Sequence, residues 1–328
     1  MPEVSVIIPT FNYGRFLEQA IQSVLGQTFQ DFELIVVDDG STDDTREVLA
    51  RFESDRRVRC LFQANRGDAA ARNTGILNAG GRYVAFLDSD DYWMPEKLER
   101  QLGIMRSDPT ACAVHSAVYI DHVDGAQRQV SRHILRRRPL RENSVYEQLL
   151  YEQVITGSNS SVLLTRGVLN EVRLYDEGLK GCCDIDLWQR IARDHEFHYV
   201  DLPLTCLRKH ASNSSGDLSL MSEYQERYLK KLDRDVPHSF RYHLPRARAA
   251  AYLSLAWQFA RRWQWVSACF YAARVFPSVV RCPLFTARFL GRKLAERFQA
   301  RFAESTECLA ETPRSDPPSP RIQCSGIR

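Results

Sequence analysis

Three acids fall within four residues at Asp88, Asp90 and Asp91, directly after the apolar run Tyr83 to Leu87. Carboxylates so close together repel one another, so the cluster requires a cation or a solvated turn. Pro95 follows where a helix can open, since its missing N–H costs nothing in a first turn. A strand that ends in acids and leads into a helix is how an open α/β sheet presents a metal-bound phosphate at the carboxyl ends of its strands. The plainer reading is an acidic turn in which Asp91 caps the next helix. A second pair, Asp38-Asp39, ends another apolar run. Asp184 stands where a helical pattern begins, with Ile185, Leu187, Trp188 and Ile191 as its apolar positions. An acid there is also an ordinary partner of a helix dipole.

The elements that would position these acids are readable in order. Val4 to Ile8 is a β-branched run, as expected of a strand buried on both faces. A helix over Phe16 to Leu25 follows, with apolar residues at i, i+3 and i+4. Strand Glu33 to Val37 leads to Asp38-Asp39-Gly40, and Ser41 to Asp44 offer caps for a helix reaching Phe52. Strand Val58 to Phe62, helix Ala69 to Ala79, strand Tyr83 to Leu87, helix Glu96 to Met105 and a strand near Ala113 to Ile120 complete a βαβαβαβ pattern. That is the pattern of a doubly wound, mostly parallel sheet. Residues 121–142 are polar and Arg-rich and read as a loop or mobile segment. Helix Val145 to Tyr151, strand Ser161 to Leu164, the Asp184 helix, and strands Phe197 to Val200 and Leu204 to Leu207 resume the fold. From Tyr224 to Phe302 the pattern is helical, with two short helices over Ala247 to Ala260 and Trp265 to Phe276.

Composition narrows the classes. Hydrophobic content of 44% and charged content of 26% are those of a globular protein. The net charge of +3 hides an asymmetry: residues 241–301 hold twelve Arg or Lys and one acid, Glu296. That basic, aromatic block should seek an anionic partner. No glycine-rich dinucleotide fingerprint follows the first strand and no P-loop occurs, so a bound phosphate would be held through a cation. Nine cysteines with no Cys-x-x-Cys pair, and with Cys182-Cys183 adjacent, favour reduced thiols and a cytoplasmic setting. Met1-Pro2-Glu3-Val4 has no basic leader, and no run of about 18 apolar residues suggests a transmembrane helix. No recognised nucleic-acid module appears, so no nucleic-acid partner is expected.

Five blocks in order, "VSVIIPTFN", "SVLGQTFQDFELIVVDDGSTDDT", "NRGDAAARNTGI", "GRYVAFLDSDDYWMPEKL" and "DIDLW", resemble the family 2 glycosyltransferases. The resemblance covers roughly residues 3–215. It implies an inverting, non-processive enzyme with a GT-A fold, a Rossmann-like sheet flanked by helices. The implied domains are a catalytic domain over 1–220, a basic, aromatic-rich helical extension over 221–302 and a disordered tail over 303–328. The segment Gln258 to Trp263 has the wrong spacing for the Gln-x-x-Arg-Trp motif of processive synthases.

The same resemblance implies roles. Asp88-Ser89-Asp90 is similar to the family's DxD motif, with Asp90 the direct ligand of Mn²⁺ or Mg²⁺, Asp88 near the ribose, and Asp91 left to start the helix. Pro9, Thr10 and Asn12 would line the base and ribose pocket. Asp39 would accept the imide N–H of uracil, which favours UDP, and Arg72 would pair with a pyrophosphate oxygen. Asp184 would be the catalytic base, and His210 would touch the diphosphate or complete the metal shell. The family usually has Glu-Asp where this chain has Cys183-Asp184. That departure keeps open a second reading, a non-catalytic sugar-nucleotide-binding or scaffold protein. The expected partners are a nucleotide-sugar donor, a saccharide or polyprenyl-linked saccharide acceptor and, through 241–301, an anionic membrane surface on the inner face of the cell membrane.

Overall fold

The computed structural model describes residues 1–136, 144–213 and 217–281, with scattered helical positions at 283, 287 and 291. The tail expected over 303–328 lies outside the described residues. Strands β1 (Val4–Thr10), β2 (Phe32–Asp38), β3 (Val58–Phe62) and β4 (Tyr83–Phe86) form a parallel unit in the order β3-β2-β1-β4. Helices α1 (Gly14–Leu25), α2 (Thr45–Ala50) and α3 (Asp68–Leu77) connect them. The alternation of side chains along a strand splits the core in two. Ile7, Ile35, Val37, Val84 and Phe86 enter one cluster with α3, and Val6, Ile8, Leu34, Val36 and Ala85 enter the other with α1. Helix α3 lies so close to β1 that a Cβ on Gly75 would stand 2.4 Å from Ile7 Cγ2.

Beyond β4 the sheet becomes mixed. Strand β8 (Leu163–Thr165) pairs antiparallel with both β4 and β6 (Ala113–Val123). Strand β9 (Phe197–Lys209) runs parallel to β6, and the short β5 (Tyr92–Trp93) pairs antiparallel with the end of β9. Two sequence expectations are corrected here. Residues 121–142 are not simply a loop, because β6 continues to Val123 and β7 (Gln129–Leu135) returns antiparallel along it. The two strands expected at 197–200 and 204–207 are one strand. It absorbs Pro203 through register shifts opposite Ser116 to Val118.

Helix α4 (Lys97–Ser107) follows the acid cluster, and α5 (Val145–Leu149), α6 (Arg166–Val172) and α7 (Cys183–Ala192) cover the other face with fully buried Trp188. Helices α8 (Leu218–Asp235), α9 (Leu244–Arg261) and α10 (Trp265–Arg281) extend the same core through Tyr228, Leu232, Tyr252 and Phe259. Helix α8 runs across residue 220. Among the described residues, no helix is long and apolar enough to cross a membrane.

Candidate active site

The carboxyl ends of β1, β2 and β4 open into a cleft of about 670 Å³. Among its lining residues are Pro9, Thr10, Asp39, Arg72, Asp88, Ser89, Asp90 and Asp184, so segments 175 residues apart in sequence meet at one place. Its acids are Asp39, Asp68, Asp88, Asp90, Asp91 and Asp184, and its Arg and Lys residues are Arg72, Lys180, Arg208 and Lys209. Six carboxyl groups stand among four Arg or Lys side chains, and the volume suits a small-molecule ligand.

Each member of the acid cluster has a different partner. Asp90 Oδ2 accepts from Asn213 Nδ2 at 2.9 Å and lies 3.2 Å from His210 Nε2. The His210 ring is stacked on Phe16 at 4.4 Å, and its Nδ1 is 2.9 Å from Ser212 Oγ. The nearby Tyr13 hydroxyl is pushed up to about 12 by burial and by the charge of Asp90. Asp91 does not cap α4, contrary to the sequence expectation. It is buried, accepting from Ser160 Oγ at 2.6 Å and from the Arg208 backbone N–H at 3.1 Å, while Glu96 flanks the helix without a side-chain cap. Burial raises the Asp91 carboxyl well above its ordinary range, and Asp90 and Asp88 add to that. Ser160 Oγ also accepts from the Asp88 backbone N–H, which pins the turn at both ends.

Arg72 sits in the cleft wall as a buried counter-ion. Its guanidinium donates to Asp68 Oδ2 at 2.6 Å and to Asp88 Oδ1 at 2.7 Å, and lies 4.0 Å from Cys183 Sγ. Burial disfavours its charge, but the two carboxylates outweigh that and hold it well above its usual value. Burial raises Asp88, and Arg72 only partly offsets this. Asp39 is buried and accepts from Gln63 Nε2 at 2.6 Å and the Gly67 backbone N–H at 2.7 Å, so it shapes the loop that leads into α3. Thr10 Oγ1 is buried with no hydrogen-bond partner among the described residues. Asn12 is turned to one side, where its Oδ1 accepts from the Thr42 backbone N–H at 2.7 Å in a neighbouring hollow.

Asp184 lies in the first turn of α7, as the sequence pattern predicts. Its Oδ1 accepts from the Ile185 backbone N–H at 2.8 Å. Asp186, two residues on, serves the core instead. It is buried between Arg190 at 2.9 Å and Lys231 at 2.8 Å, which ties α7 to α8. Cys183 is buried with Sγ 3.7 Å from Asp68 Oδ2, and burial raises its thiol. Sequence reasoning missed Asp68, Ser160, Lys180, Asn213 and the α8 residues Leu220 and Tyr224. Lys180 reaches over Gly67, with Cε 3.8 Å from where a Cβ would be. Tyr224 lies against Gly181, whose φ of +72° and missing Cβ both suit the contact. The one available signal was the acid at the start of α3, beside Gly67.

Among the described residues, no three His, Cys, Asp or Glu side chains form a self-sufficient metal site. Asp90 with His210 is a two-donor set. It fits a hard divalent cation that takes its remaining oxygens from phosphates and water.

Comparison with known proteins identifies the fold and the family. The architecture is that of the GT-A glycosyltransferases. A mannosyltransferase from Pyrobaculum calidifontis, solved with GDP-Man and Mn²⁺, superposes with a TM-score of 0.58 at 20% identity, over 94% of this chain and 84% of its own. S. aureus TarS 1–349 in complex with UDP-GlcNAc superposes with a TM-score of 0.57 at 18% identity, over 83% and 81%. The model of glycosyl transferase family 2 matches residues 5–173, and the chain belongs to that family. An uncharacterized glycosyltransferase of Nostoc sp. is 39% identical over 132 residues, 40% of each chain. A putative teichuronic acid biosynthesis glycosyltransferase of Bacillus subtilis, TuaG, is 48% identical over 106 residues, 32% of this chain and 42% of that one. The chain therefore spans well under half the length of these relatives.

Proposed function

We propose that this protein is a metal-dependent inverting glycosyltransferase that moves one sugar from a nucleotide diphosphate, a UDP-sugar, to a hydroxyl of a saccharide or lipid-linked saccharide. The observation that carries the reading is the acid-rich cleft at the strand ends, lined by Asp90, with the His210 ring 3.2 Å behind that carboxylate. A divalent cation held by Asp90 and His210 would neutralise the donor's phosphates and make the nucleotide a better leaving group. Thr10, Asp39, Asp88 and Ser89 would hold the nucleoside, with the unpartnered Thr10 hydroxyl available to a ribose or base. Arg72 acts through Asp88 rather than on the pyrophosphate, and the exposed Lys180 and Lys209 are the cations placed to meet the donor.

In a single displacement the acceptor oxygen forms a bond to the anomeric carbon while the bond from that carbon to the nucleotide breaks. The leaving nucleotide keeps the electron pair, and Asp184 takes the acceptor's proton. Donors named for the structural neighbours, UDP-GlcNAc and GDP-Man with Mn²⁺, support this class of donor. The teichuronic acid biosynthesis named for TuaG supports a role in polysaccharide synthesis, and the proposed setting is the cytoplasmic side of a membrane. The basic block 241–301 would bring the enzyme to that surface. Calorimetry of UDP with and without Mn²⁺ tests the core of the proposal. Wild-type protein should bind UDP only with metal, and Asp90→Ala should lose the metal-dependent part. Equal affinity with and without metal would refute the metal assignment.

A further inference from the structure

Helix α10 is apolar on two opposite faces, and one of them is covered. Ala268, Tyr271 and Val275 are buried, with Tyr271 stacked on Phe259 of α9 at 5.5 Å. Val266, Phe270, Phe276 and Val280 stand on the opposite side, spaced so that they share one stripe of the helix. Trp263 and Trp265 extend the stripe at the α9–α10 turn, and these six side chains are between 55% and 87% exposed. At 1.5 Å per residue the stripe from Val266 to Val280 is about 21 Å long. A helix on the surface of a globular protein normally turns charged residues outward, so this face expects an apolar neighbour.

The surrounding charge says which neighbour. Residues 241–281 carry seven Arg and no acid. Arg261 and Arg262 are exposed beside the turn and Arg281 is exposed at the far end of the stripe. The partner must be apolar in its interior and anionic at its surface. A second copy of the chain would bring an equally basic face and be repelled, whereas an anionic lipid bilayer meets both conditions. No described helix is long and apolar enough to cross the bilayer, so the contact lies in its plane.

We propose that α10 and the turn before it form an interfacial anchor that lies flat on an anionic bilayer. The six apolar side chains enter the headgroup boundary, and Arg261, Arg262 and Arg281 meet lipid phosphates. The inference rests on the membrane reading of the basic block and not on the identity of the transferred sugar. The test is co-sedimentation of the full chain with vesicles of phosphatidylcholine alone or with about a third phosphatidylglycerol, near physiological salt. It compares wild type, the pair Phe270→Ser and Phe276→Ser, and the pair Arg261→Glu and Arg262→Glu, with UDP binding as the control for folding. The expected result is binding to the anionic vesicles only, weakened at least about tenfold in each double variant, with bromolipid quenching of tryptophan emission in wild type. Wild-type-like binding by the serine variant, with loss only in the glutamate variant, overturns the anchor and leaves an electrostatic contact. No sedimentation of wild type overturns the membrane reading as well. Lipid-free self-association that the serine variant abolishes assigns the stripe to a second copy and overturns the proposal.

Discussion

Replacing Arg72 by Met separates a donor ligand from a structural counter-ion. The side chain is 5% exposed and holds Asp88, 29% exposed, and Asp68, 47% exposed. Removing one partner of a buried ion pair costs about 3–5 kcal/mol, because the other charge is left uncompensated. Asp88 keeps some contact with water, so its share falls near the lower end, about 3 kcal/mol. The half-exposed Asp68 pair adds at most about 0.5 kcal/mol. Urea unfolding at pH 7 should therefore show a loss of about 3 kcal/mol, and Asp88→Asn in the same chain should recover most of it. The sign with pH is fixed. Asp88 already has a raised folded value, and loss of Arg72 raises it further, so protonation relieves the variant and its deficit shrinks as pH falls from 7 to 5. If the variant unfolds like wild type and loses only UDP affinity, Arg72 is a pyrophosphate ligand and the counter-ion argument is wrong.

Asp184→Asn should keep metal-dependent UDP binding and lower transfer by about 10²–10⁴-fold, the range for losing a general base; retained turnover would move that role elsewhere. His115 is fully buried, with its value pushed down to about 3 by burial, so it folds neutral. Its contribution is complete above the unfolded value of about 6.5 and is lost as pH falls, costing about 2 kcal/mol between pH 7 and pH 5. The wild-type urea midpoint should fall more steeply over that window than that of His115→Gln, and equal slopes would exclude the effect. Lys97 is also fully buried, its Nζ 2.8 Å from Gln101 Oε1 and 3.9 Å from the centre of the Trp93 ring, and burial holds its value well below normal. Lys97→Met removes the cost of burying that group and leaves Gln101 Oε1 without its donor, about 1–3 kcal/mol. The net change should be stabilising in the same unfolding assay, and a marked loss would mean that Trp93 and Gln101 sustain the charged form.

The parallel half of the sheet was legible because each strand is a short apolar run buried on both faces and each helix shows its own period. Strand β7 was not, since its residues are mostly exposed and polar and, among the described residues, it pairs only along β6. Nothing local in Gln129 to Leu135 distinguishes it from a loop. The acids were found by type, but their partners were not. Asp91 looks like a helix cap until Ser160 and Arg208 arrive from distant parts of the chain, and Arg72, expected to meet a pyrophosphate, is instead met by Asp68 and Asp88 of the protein itself. By residue type and helix position alone, Asp184 and Asp186 are alike, and only the resemblance singles out Asp184. Arg190 on the same helix and Lys231 of α8 commit the second of them to the core.

The pairing of the acid turn with the end of β9 bears on how the chain is made. The guanidinium of Arg208 reaches the Asp90 carbonyl across 118 residues. At about 5–20 residues per second, a ribosome needs roughly 6–24 s to add that stretch. The parallel strands can assemble well before then, but they do so with three carboxylates crowded at one edge and without their later partners. Arg72 is already made and serves Asp88, but Asp90 and Asp91 still lack their partners, so slow passage through residues 91–208 would prolong that state and a divalent cation present during synthesis would relieve it.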